Sequence, residues 1–79
     1  MSVLVYSKPN CPQCTKTKNT LKAAGVGFDE IDITEDDNAF MRVTQELGYR
    51  QMPVVEAGDQ HWSGHDDVML SALIAAEER

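Results

Sequence analysis

Cysteine is scarce: a chain of 79 residues holds two, Cys11 and Cys14. Two are too few for a secreted scaffold built on disulfides. Long apolar runs are missing as well. The opening "MSVLVYSKPN" has no positive n-region and only a short apolar stretch, so neither a secretory signal nor a membrane span is expected. Basic residues are in deficit, seven against thirteen acids, for a formal charge of -6. Nucleic acid is a poor partner for such a surface, because binding it rests on cationic contacts to phosphates. There are no repeats, low-complexity tracts or linkers. Together these absences predict one domain over residues 1–79, a monomer, in a reducing cytoplasm.

What is present reads as alternating strands and helices. "SVLVYS" (Ser2 to Ser7) is an apolar, β-branched run and predicts a buried strand. Pro12 to Ala24 reads as a helix, with Pro12 at a first position where the missing N–H costs nothing. Cys14, Thr17, Leu21 and Ala24 share its inner face, and Gly25 stops it. "GFDEIDIT" predicts a second strand. Thr34 offers a cap for a second helix with Phe40, Val43, Thr44 and Leu47 at helical spacing, ended by Gly48. "MPVVEAG" and "QHW" form a hairpin around Gly58 and Asp59. "SGHDD" opens a last helix whose apolar side takes Val68, Leu70, Leu73, Ile74 and Ala76. The order β-α-β-α-β-β-α implies an α/β domain, a small mixed sheet covered by helices.

"KPNCPQCTKTK" carries both cysteines, with Cys11 between a strand and a helix start and Cys14 one turn on. A disulfide between them closes a tiny loop and adds little stability, since the chain-entropy gain grows with loop size. Free N–H groups at a helix start carry partial positive charge. They favour a thiolate, so Cys11 is expected to ionise more readily than an ordinary thiol, with Lys8 and the turn fixed by Pro12 in support. Cys14 then sits where it can attack a mixed disulfide formed on Cys11. Lys8, Lys16, Lys18 and Lys22 also cluster in sequence around the pair, either as a solvated helix face or as a positive rim on a negative body. Cys11, Cys14, His61 and His65 can also be written as a Cys2His2 zinc site of a small adaptor. Against that stand the long separation of the two halves and a strand end, turn and helix start between the histidines. No cofactor is expected. Met52-Pro53 begins a strand where a lost donor is tolerated, leaving the Met52 backbone free to pair with an extended substrate segment.

A strand, a Cys-Pro-x-Cys helix, a proline before a later strand and a Gly-x-Asp-Asp helix start resemble the glutaredoxins. "LGYRQMPVVEAGDQHWSG" (Leu47 to Gly64) resembles the NrdH-redoxins more closely. The resemblance implies the thioredoxin fold and a dithiol–disulfide oxidoreductase. It implies class Ib ribonucleotide reductase as target and thioredoxin reductase as the source of electrons. It makes Cys11 and Cys14 the redox pair, puts Pro53 in the place of a cis-proline, and gives Trp62, Ser63 and Gly64 a part in shaping the site. The chain departs from NrdH-redoxins after Gly64, where "HDD" resembles glutaredoxins. There the helix start holds glutathione, so Asp66 and Asp67 are either glutathione contacts or helix caps. Trp62 is likewise either a partner contact or an aromatic covering the sheet edge.

Overall fold

Alternation along the strands decides which layer each side chain joins. The computed structural model describes residues 2–77. Strand β1 (Val3–Ser7) leads to helix α1 (Pro12–Ala23), then β2 (Asp29–Asp32), α2 (Asp37–Met41), β3 (Val54–Ala57), β4 (Gln60–Ser63) and α3 (Asp67–Glu77). The sheet order is β2-β1-β3-β4. β1 and β2 are parallel, while β1 with β3 and β3 with β4 are antiparallel. Val3, Val5, Val55 and Ala57 pack with Leu21 of α1, Trp62 of β4 and Leu70 and Leu73 of α3. The other side chains of β1 and β3, Tyr6 and Val54, pack with Ile33, Ala39, Val43 and Met52 on the α2 side. Val5, Leu21, Val43, Val54 and Val55 are fully buried, each stabilising the fold by about 1.5–3 kcal/mol.

The central antiparallel pairing sets Tyr6 beside Val54, so the chain leaving β1 toward the cysteines lies next to the chain entering β3 from Pro53. The β3–β4 hairpin closes with Gly58 at φ 60°, the positive angle that the first central position of a type II′ turn requires. It brings Ser63 opposite Val54, at the same end of the sheet.

Four expectations change: the cap on Thr34 and the inward places of Phe40, Val68 and Ala24. The second helix starts on Asp36, whose carboxylate accepts the Ala39 N–H at 3.0 Å. Thr34 instead folds into a local turn, its N–H and hydroxyl both donating to Asp32. An aspartate two residues back offers that turn a stronger acceptor than Thr34 offers a helix. The helix then widens to a π-helical segment, Arg42–Glu46. Its buried residues are Ala39 and Val43, while Phe40 is 46% exposed. In α3 the buried stripe is Leu70 and Leu73, and Val68 stands 78% exposed, because two residues before Leu70 is the wrong side of a 3.6-residue turn. Ala24, expected on the inner face of α1, lies exposed beyond its last turn. No helix among the described residues is long and apolar enough to cross a membrane.

Candidate active site

Cys11 is the N-cap of α1. Its backbone is extended, its sulfur accepts the Cys14 N–H at 3.2 Å, and Pro12 fills the first helical position. Asn10 makes the approach with φ 58°, a left-handed angle that asparagine tolerates better than most residues. The two cysteines are joined in a disulfide, with Cα atoms 5.2 Å apart. They differ in access: Cys11 is half-buried, whereas Cys14 is only 2% exposed. Cys11 is thus the more accessible of the two sulfurs. The Cys14 N–H in the first turn points at the same atom, and the positive end of the helix favours negative charge on it.

The opposite wall is the segment before β3. The Met52-Pro53 peptide bond is cis, as the resemblance implies for Pro53. The Met52 carbonyl oxygen lies 3.7 Å from the Cys11 sulfur. Ser63 donates its hydroxyl to the Gln51 carbonyl at 2.7 Å, and the Gly64 N–H donates to the Pro53 carbonyl at 2.7 Å. Ser63 and Gly64 thus fasten the chain on either side of Met52. Gly64 has φ 87°, an angle that suits glycine. The Met52 N–H has no hydrogen-bond partner among the described residues. Between the walls lies a groove of about 280 Å³, bordered by Lys8, Cys11, Pro12, Gln13, Arg50 and Met52. Gln13 and Arg50 belong to this border without any motif signal of their own. Gln13 sits between the cysteines, and Arg50 sits two residues before Met52, so only their spacing from recognised residues points to them.

Trp62 is not in the groove. It is 7% exposed and packs with Leu70 and Leu73 beneath α3. Its indole N–H has no hydrogen-bond partner among the described residues. Asp66 caps α3, its carboxylate accepting the Met69 N–H at 3.0 Å. Asp67 contacts His65 Nε2 at 2.8 Å. His65 is also tied to α1: its Nδ1 lies 2.8 Å from the buried Thr17 hydroxyl, and its N–H donates to the Gln13 side-chain oxygen at 3.2 Å. His61 is exposed and pairs through Nδ1 with the Tyr49 hydroxyl at 2.7 Å. The two histidines and the cysteines therefore do not meet. No group of three or more His, Cys, Asp or Glu among the described residues is placed to hold a metal.

Two carboxylates brace the layers around this site. Glu30 of β2 accepts from Lys18 at 2.7 Å and from Ser7 at 2.8 Å. Those bonds hold its carboxyl below the ordinary value of 4.5. Glu56 of β3 binds the Arg42 guanidinium and accepts from the Tyr6 hydroxyl at 3.1 Å. Arg42 holds the Glu56 carboxyl below its ordinary value. Burial, with Glu56 beside it, pushes the Tyr6 hydroxyl above the ordinary 10.0.

Comparison with known proteins bears on this arrangement. Residues 3–62 match the glutaredoxin family model. The glutaredoxin-like protein NrdH of Salmonella typhimurium is 37% identical over 75 residues, covering 92% of this chain and 89% of that one. A glutaredoxin of Neisseria meningitidis is 40% identical over 68 residues, covering 85% and 80%. Among solved structures, the NrdH-redoxin of Escherichia coli, described as having a thioredoxin-like activity profile, superposes with a TM-score of 0.86 at 34% identity, covering 92% and 95%. The four-stranded mixed sheet with three helices is thus the thioredoxin fold in its glutaredoxin form. With a paired thiol at the start of its first helix, the chain belongs to the glutaredoxin family as a thiol–disulfide oxidoreductase, and within that family it is similar to the NrdH-redoxins.

Proposed function

We propose that the protein is a dithiol electron donor, reducing class Ib ribonucleotide reductase in the cytoplasm and recharged by thioredoxin reductase. Cys11 is the nucleophile and Cys14 the resolving thiol. The observation that carries this reading is the unequal access of the two sulfurs, half-buried Cys11 on the groove and 2% exposed Cys14 behind it. In the reduced protein the Cys11 thiolate attacks one sulfur of the partner's disulfide. That S–S bond breaks, and the partner's other sulfur leaves as a thiolate and takes a proton. Cys14 gives up its proton, and its thiolate attacks the Cys11 sulfur. The second partner thiolate leaves. Two electrons have passed to the partner, and a Cys11–Cys14 disulfide remains. The reductase returns two electrons from NADPH through its own dithiol.

The partner's chain is held in extended form beside Met52, whose unpaired N–H donates a strand-like hydrogen bond to a carbonyl oxygen of the partner. Lys8 and Pro12 support the Cys11 thiolate, the first by charge and the second by fixing the turn. Ser63, Gly64 and Pro53 hold the opposite wall.

Recharging by glutathione is the competing reading, drawn from "SGHDD". Two of its polar groups already have partners in the chain: the His65 N–H is given to Gln13, and the Asp66 carboxylate accepts from Met69. That favours a protein reductase. The test is to supply the oxidised protein with NADPH and thioredoxin reductase, and separately with glutathione, glutathione reductase and NADPH. Turnover only in the first mixture is expected. Turnover only in the second would overturn the assignment of electron source.

A further inference from the structure

Charge around the groove is distributed unlike charge on the rest of the molecule. The chain carries a formal charge of -6. Of the cations, Lys18 is paired with Glu30, and Arg42 with Glu46 and Glu56. Lys8, Lys16, Lys22 and Arg50 make no ion pair among the described residues, and Lys8 and Arg50 both border the groove. Among the described residues no carboxylate borders it. The two cations come from separate segments, Lys8 from the turn after β1 and Arg50 from the chain before β3. Both are exposed, so neither must give up an internal partner to bind.

We propose that the groove selects disulfides carried on acidic segments of a partner protein, with Arg50 and Lys8 as the selecting residues. This rests on the dithiol-donor reading and adds the chemical class of its substrate. Arg50 offers a planar fork that takes a carboxylate through two parallel hydrogen bonds, and Lys8 offers a compact charge. The net negative charge of the body opposes an acidic segment, while the two cations of the groove draw it to the approach that leads to Cys11. A cleft lined by one sign of charge raises the local concentration of the opposite sign and speeds association. The device therefore acts mainly on the rate of encounter, and salt weakens it.

The test uses pre-reduced full-length protein and two cyclic disulfide peptides of equal length, one flanked by glutamates and one by lysines. Oxidised glutathione, which offers carboxylates without a peptide segment, is the third substrate. At low ionic strength the acidic peptide is expected to react about tenfold faster than the basic one, at the low end of electrostatic steering. The preference should shrink to about twofold or less near ~0.5 M salt, where the screening length is only a few ångströms. Arg50→Glu, alone or with Lys8→Glu, should reverse the preference. Lys16→Glu changes net charge as much as Arg50→Glu but lies outside the groove, and should leave the preference in place. Equal, measurable rates for the two peptides would overturn the selectivity alone. So would an equal response to the Lys16 and Arg50 variants, or oxidised glutathione reacting as fast as the acidic peptide. No reaction with any of the three would instead overturn the dithiol-donor reading on which the selectivity rests.

Discussion

Two recesses among the described residues lie at different places on the sheet, and the larger of the two is the less informative. The larger, about 440 Å³, lies between the β3–β4 hairpin and α3 and is walled by Ala57, Trp62, Met69 and Leu73. The groove beside Cys11 is about 280 Å³ and shares no lining residue with it. The apolar recess is built from ordinary elements, a two-residue turn and the flank of a helix. Around the groove the backbone is unusual at three points: Asn10 at φ 58°, the cis Met52-Pro53 bond and Gly64 at φ 87°. The second and third are fastened to each other, the Pro53 carbonyl accepting from the Gly64 N–H. Volume follows from how helices lie on a sheet, whereas a convergence of backbone groups on one sulfur must be held in place.

The sharpest way to test that contrast is at the sulfurs. Cys11→Ser should abolish disulfide reduction, while Cys14→Ser should accumulate a mixed disulfide with the partner, visible by mass on non-reducing separation. Trapping of equal amounts by both variants would refute the roles given to them. A large effect of the opposite kind is expected at the apolar recess. Trp62→Ala should cost about 3–5 kcal/mol of stability, as large core truncations do, read as a drop in the denaturation midpoint. Trp62→Phe should cost less, because it also removes an indole N–H that is buried without a partner. The phenylalanine variant should keep the wild-type rate of partner reduction. A fall in that rate with the fold intact would make Trp62 a partner contact after all.

Much of this contrast was legible in the sequence, and what was not has a local physical cause. The element order could be read because glycine and proline mark nearly every boundary and the two central strands, β1 and β3, are rich in valine. The catalytic pair could be read because Cys-Pro-x-Cys at a strand-to-helix junction fixes both thiols to one turn. The cap on the second helix was misassigned because Thr34 and Asp36 are both good caps, and the choice turned on Asp32 capturing Thr34 first. Trp62 was ambiguous because a four-residue strand exposes one face and buries the other, and nothing local says which. Gln13 and Arg50 were hidden because their place on the groove depends on segments 37 residues apart in sequence meeting across the sheet. The shared location of Thr17, His65 and Asp67 was hidden for the same reason.

The smallest expected effect sets the groove apart from the braces around it. Among the described residues no carboxylate borders the groove, whereas two carboxylates, Glu30 and Glu56, brace the layers around it. Glu30 and Glu56 are depressed by their cation partners. A depressed carboxyl contributes stability that is full above its unfolded value, here the ordinary 4.5, and lost as pH falls through the lower folded value. The melting temperature of the oxidised protein should therefore be flat from neutrality down to about pH 5 and fall below it. Lys18→Met removes the main partner of Glu30, which is 42% exposed in its side chain, so the variant should lose only about 0.2–1 kcal/mol at neutral pH, as exposed pairs do. Its melting curve should converge on that of the parent in acid, where Glu30 is protonated in both. A constant gap between the two curves across the whole range would show that Lys18 acts through packing of its stem on α1 and not through its charge.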